Sequence, residues 1–146
     1  MEKKPKKVFI VGPISAAFIA DSIAKHSSKK DIGAHGIFLG QVRNDLIDGK
    51  EVVGINYECY AAMAEPILQV IREDCFAQFN LTCLHIYHSL GMVETGQICL
   101  FVFTSSKHRK AALEACDYLV ERVKKEVPIW GKEVFIDEST HWKINQ

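Results

Sequence analysis

The sequence is short of the features that usually announce a chemistry, and each gap excludes something. Charge of one sign is missing: 18 lysines and arginines stand against 18 aspartates and glutamates. A bulk electrostatic pull toward nucleic acid or an anionic membrane is therefore not expected, and any anion site must come from local clustering. No apolar run approaches the roughly 20 residues needed to span a bilayer. The basic N-terminal stretch through Lys6-Lys7 is followed only by Val8 to Val11, too short for a signal peptide, and then by Gly12-Pro13. The five cysteines are odd in number and form no CxxC pair. They read as buried free thiols in a reducing compartment, so the cytoplasm is the expected location. A glycine-rich phosphate loop, HExxH and GxSxG are all absent. His85 and His88, three apart on a predicted strand, point to opposite faces and cannot share a metal. His26, His35 and His141 have no ligand-type neighbours. Neither a metal nor an organic cofactor is expected, and no cysteine has the basic, exposed setting of a nucleophile.

What is present is an ordinary globular chain. Its 146 residues, 48% hydrophobic, suit a single domain spanning residues 1–146. A chain of this length buries roughly 70% of its unfolded surface and needs no metal or disulfide to fold. Val8 to Val11 reads as a strand, and Pro13 suits the first turn of a helix continuing from Ile14 to about Lys25. Gly33 to Val42 and Val52 to Tyr60 read as strands. Asp48-Gly49 lies in the loop between them, which is expected to close a hairpin. A helix is predicted from about Met63 to Phe79, with Ile67, Val70, Ile71, Cys75 and Phe76 facing inward. Leu81 to Leu90 and Ile98 to Phe103 are strands, with Gly91 and Gly96 bracketing the turn. Ser105 or Ser106 caps the next helix. In that helix Ala112, Ala115, Cys116, Leu119, Val120 and Val123 follow the i, i+3, i+4 pattern. Pro128 ends it, and Trp130 to Ile136 is a final strand. Strand pairs joined by short turns imply an α+β fold, with a mixed, mostly antiparallel sheet and helices against it.

The most informative stretch is Lys107-His108-Arg109-Lys110, at the start of the best-predicted helix. That end carries the positive pole of the helix dipole and prefers acidic residues. Four basic or potentially basic residues there suit a phosphate or carboxylate, set against the plain reading of a solvated basic turn. Arg43 ends an apolar strand, where its planar fork can meet an anion; a merely solvated strand-end arginine is the competing reading. Lys124 and Lys125 lie in the last turn of the helix, and Lys132 just beyond Pro128. The dipole alone accounts for cations there. A catalytic lysine needs partial desolvation, which Val127, Ile129 and Trp130 are placed to supply. His108 and Lys124 are sixteen residues apart, about 24 Å along a helix and about 160° around it. They do not serve one pocket within one chain. If both are functional, a symmetric dimer brings the helix start of one chain to the helix end of the other.

Several stretches, in order, resemble the large subunit of molybdopterin synthase. They are Gly40-Gln41-Val42-Arg43-Asn44, the run from Tyr57 to Glu65, His88-Ser89-Leu90-Gly91 with Gly96, Thr104 to Arg109, and Lys124 to Glu133. The likeness runs from about Gly33 to Trp142. It implies an α/β-hammerhead fold and a central homodimer. Each large subunit would bind a small ubiquitin-like sulfur carrier whose Gly-Gly tail ends in a thiocarboxylate. Two sulfurs would pass to cyclic pyranopterin monophosphate, giving the dithiolene of molybdopterin. The nucleophile would then come from the carrier, in keeping with a chain that has no nucleophile motif. By the same resemblance Arg43, His108 and Arg109 hold the substrate phosphate and pterin, and Lys124 sits by the carrier's terminus. The family's second lysine directly follows the tryptophan; here that position is Gly131, and Lys132, the next residue, is taken in its place. Some members use a basic residue in a longer C-terminal tail, and no equivalent is read before Gln146. The rival expectation is a non-catalytic regulatory module that binds a phosphorylated metabolite through Arg43, His108 and Arg109 without needing Lys124.

Overall fold

A computed structural model describes residues 7–144; the basic stretch before Lys7 lies outside them. Among the described residues the order is β1 (Phe9–Val11), α1 (Ala16–Lys25), β2 (Ala34–Gln41), β3 (Leu46–Ile47), β4 (Lys50–Cys59), α2 (Ala61–Gln78), β5 (Cys83–Glu94), β6 (Ile98–Ser106), α3 (Arg109–Glu126), β7 (Ile129–Phe135) and β8 (Thr140–Trp142). The sheet runs β2-β6-β5-β4-β7-β8, with β1 beside β5 and β3 beside β4. Only β1 pairs in parallel, so the fold is α+β with a mixed, mostly antiparallel sheet, as expected.

The apolar run of β6 has a simple cause. It is central and covered on both faces, so Cys99 to Ser106 are all buried and no alternation is needed. Leu100 and Val102 face the main core, where α2 and α3 pack with Leu68, Ile71, Leu119 and Val123. Phe101 and Phe103 face the other way, against Ile14, Phe18 and Ile19 at and within α1. All six inward positions predicted for α3 are buried. The helix rides close to the sheet because Gly36 has no side chain: a Cβ there would lie 2.5 Å from the Ala112 carbonyl oxygen. Thr104 Oγ1 donates to that same carbonyl at 2.6 Å.

Several expectations are corrected. The first helix begins at Ala16, capped by Ser15, whose Oγ accepts from the Phe18 N–H; Ile14 instead bridges to Ile98. Asp48 and Gly49 do make a tight turn with positive φ, but it joins β4 to the two-residue β3. β2 pairs with β6, and β4 with β5 and β7, so no β2–β4 hairpin exists. Val70 and Phe76 are exposed on α2, which buries Ala64, Leu68, Ile71 and Cys75. Ser105 and Ser106 remain in β6, and the residue preceding α3 is His108, which makes no side-chain cap bond. Gly91 is not at a turn. It sits inside β5 with φ +81°, where the strand leaves β6 for β4.

Candidate active site

Where the end of β2, β4, β7 and the last turn of α3 meet, a cleft of about 910 Å³ opens. Lys124 lines it from α3, which Pro128 prevents from continuing. The lysine is only partly exposed, and removal from water lowers its amine pKa. Nearby Lys143 pushes the same way, and Cys99 opposes. A lysine so placed gives up a proton more readily than a solvated one.

Two neutral groups and a buried carboxylate line the cleft beside Lys124. His88 is buried, and burial, with a smaller push from Lys124, lowers its pKa to about 4. Its Nδ1 lies 2.8 Å from the Ser89 carbonyl, which in the neutral ring makes Nδ1 the donor and leaves Nε2 as an acceptor. The Tyr57 ring packs edge-on against His88 at 5.0 Å. Burial, then Cys99 and Glu133, keep the Tyr57 phenol protonated well above its ordinary range. Glu133, also buried, meets His141 Nε2 at 3.2 Å.

The structure sorts the sequence candidates into two places. Arg43 and Lys124 both line the cleft, Arg43 in an exposed pair with Asp45 at 3.3 Å. His108 and Arg109 are exposed at the opposite end of α3 and do not line it. Lys132 does not line it either. Gly131 and Glu133 do, and alternation along β7 sends Lys132 to the other face, where its Nζ sits 5.1 Å from the Trp142 ring centroid. Gly131 has packing reasons to be small, since a Cβ there would lie 2.8 Å from the Ile55 side chain. Lys125, named with Lys124 in the sequence, also lines the cleft, and a third lysine there was missed. Lys143 lines it, beside Gly131, whose carbonyl accepts the Lys143 N–H at 2.8 Å. Only the unpredicted β8 reveals it. A second miss lies on the α1 side of the sheet. His26, set aside for lack of ligand-type neighbours, meets His85 at 3.1 Å with Cys83 close by.

A family model described as MoaE protein matches residues 13–126, most of the chain. The chain belongs to this family. A molybdopterin synthase catalytic subunit from Pyrococcus abyssi is 39% identical over 124 residues, 85% of this chain and 82% of that protein. The crystal structure of molybdopterin synthase from Staphylococcus aureus is similar with a TM-score of 0.81 and 30% identity, over 94% of this chain and 96% of that one. A complex of subunits 1 and 2 of molybdopterin-converting factor from Helicobacter pylori shares the fold, with a TM-score of 0.80 and 23% identity over 95% of this chain and 90% of that one. The human catalytic subunit is longer, and the chain covers 60% of it. The family places this MoaE-type chain among the enzymes of molybdenum cofactor biosynthesis. No helix among its described residues is long and apolar enough to cross a membrane.

Proposed function

We propose that the chain is the catalytic subunit of a molybdopterin synthase, a cytoplasmic sulfurtransferase. It takes sulfur from the thiocarboxylate tail of a small ubiquitin-like carrier and passes it to cyclic pyranopterin monophosphate. The observation that carries this reading is the partly desolvated Lys124 inside a cleft that also holds Lys143 and Arg43. A Gly-Gly tail is thin enough to enter such a cleft, and an ammonium there meets the terminal thiocarboxylate with little competing water. Lys124 orients the thiocarboxylate and hands a proton to the reacting centre. Lys143 supplies the second positive charge that Gly131 does not. Arg43 holds the substrate phosphate, released from Asp45 as it does so. The carrier provides the sulfur nucleophile, so the chain needs none of its own.

His108 and Arg109 reach the same substrate only from a second copy. A homodimer that sets the start of α3 of one chain against the cleft of the other completes the phosphate site. Each large subunit then takes one carrier, giving a heterotetramer. The test is to mix the chain with a thiocarboxylated carrier and the pterin substrate and follow dithiolene. Wild type forms it, and Lys124→Ala lowers the rate by on the order of 10²-fold or more while carrier binding persists. Unchanged transfer by Lys124→Ala removes the role given to Lys124, and absence of dithiolene with the wild-type chain supports the regulatory-module reading instead.

A further inference from the structure

The face of the sheet opposite the cleft carries a second group of reactive side chains. Cys83 and His85 are two apart on β5 and share the face that α1 covers. His26, the residue following α1, reaches over from the helix, and its Nε2 lies 3.1 Å from His85 Nε2. One donor atom from each of His26, Cys83 and His85 falls within a 4.8 Å span. Tetrahedral zinc with Zn–N about 2.0–2.1 Å and Zn–S about 2.3 Å sets its ligand atoms about 3.3–3.6 Å apart. The two histidine nitrogens stand slightly closer, at 3.1 Å, and small side-chain rotations open that gap and bring the sulfur in.

The surroundings suit a metal. His26 Nδ1 lies 2.7 Å from the Ser22 carbonyl, which makes it the proton-bearing nitrogen and turns the Nε2 lone pair toward His85. Lys29 Nζ donates to Cys83 Sγ at 2.8 Å, a contact that the bound metal takes over. Cys83 is buried, while both histidines are partly exposed. A cavity of about 310 Å³, lined by Lys7, Ile10, Phe18, His85 and Tyr87, opens on the His85 side and gives solvent a route to a fourth position.

We propose that His26, Cys83 and His85 form a zinc site, with a water as fourth ligand, that ties the C-terminal end of α1 to β5. On binding, the Cys83 thiol proton leaves to solvent and the sulfur bonds the metal as thiolate. His85 gives its Nε2 to the metal and carries its proton on Nδ1. The site closes a loop of more than fifty residues, and α1 itself has no fully buried residue to hold it.

Titration of the chelator-treated full chain with Co²⁺ tests this. One equivalent should give tetrahedral visible bands and a thiolate-to-cobalt charge-transfer band, both displaced by Zn²⁺. His26→Ala removes a partly exposed side chain and should weaken binding by at least about 100-fold with unchanged circular dichroism. Cys83→Ser should abolish the charge-transfer band. Zinc should raise the Tm of wild type and leave that of His26→Ala unmoved. Absence of the charge-transfer band in wild type, or its full retention in either variant, overturns the site. Should Cys83→Ser not fold, the His26→Ala titration decides alone.

Discussion

Lys132 stands on β7 and Lys143 just past the end of the neighbouring β8, yet only Lys143 lines the cleft. Lys132 lies on the far face of β7 beside Trp142, whereas Lys143 follows β8 and lines the cleft next to Gly131. Lys143→Ala should therefore slow dithiolene formation by about 10-fold or more, and Lys132→Ala by no more than about threefold. Steady-state rates of the two variants check this, and the reverse order would return the role to Lys132. Side-chain direction is what the sequence concealed here, because one residue along a strand reverses it. Lys124 was legible, since helix end, proline stop and apolar neighbours all lie close together in the chain.

His88 gives a pH dependence of known sign. Its folded pKa is lowered to about 4 from an ordinary 6.5, with burial the first cause. Between those values the unfolded chain binds the proton and the folded chain does not. This contribution is present above about pH 6.5 and is lost as pH falls toward 4, reaching on the order of 3 kcal/mol. Urea unfolding at pH 7 and pH 4.5 should show a smaller acid loss in His88→Gln than in wild type. Equal losses would mean that His88 is not the group held neutral.

Among the elements, the inward stripe of α3 was readable to the residue, because a helix stripe is local and six positions repeat it, whereas its start was placed too early, at Ser105 or Ser106. Strand pairing was not. Asp48-Gly49 signals a turn correctly, but local signals cannot say that β2 pairs with β6 and β4 with β5 and β7. Gly91 misled for a related reason, since a positive φ also serves a bend inside a strand. The triad of His26, Cys83 and His85 was invisible because His26 and His85 are 59 residues apart and meet only across the α1–β5 packing.

The seat of α3 on the sheet carries its own prediction. In Gly36→Ala the new Cβ meets the Ala112 carbonyl and Thr104 Oγ1, 2.5 and 2.6 Å away, and the helix backbone has to move. The bond from Thr104 to Ala112 is disturbed with it. A loss of about 2–3 kcal/mol is expected in denaturant unfolding. A loss below about 0.5 kcal/mol would show that the close approach of helix and sheet is not needed.

At the scale of the whole molecule, the fold sets its two groups of basic side chains at opposite ends of one 18-residue helix. Lys124, Lys143 and Arg43 share a cleft, while His108 and Arg109 stand apart and exposed. A helix of that length cannot bend them onto one small substrate. In the proposed homodimer two copies related by a twofold axis can, each supplying what the other's cleft lacks.

The most direct test of that account is complementation between two inactive chains. Lys124→Ala and Arg109→Ala are each prepared alone, then co-refolded in equal amounts and assayed for dithiolene formation with carrier and pterin. If the site is shared, each mixed dimer holds one intact site, and the mixture recovers about a quarter of wild-type activity. If the mixture stays as inactive as its components while mixed dimers are present, the two groups do not meet across a dimer and the account is contradicted.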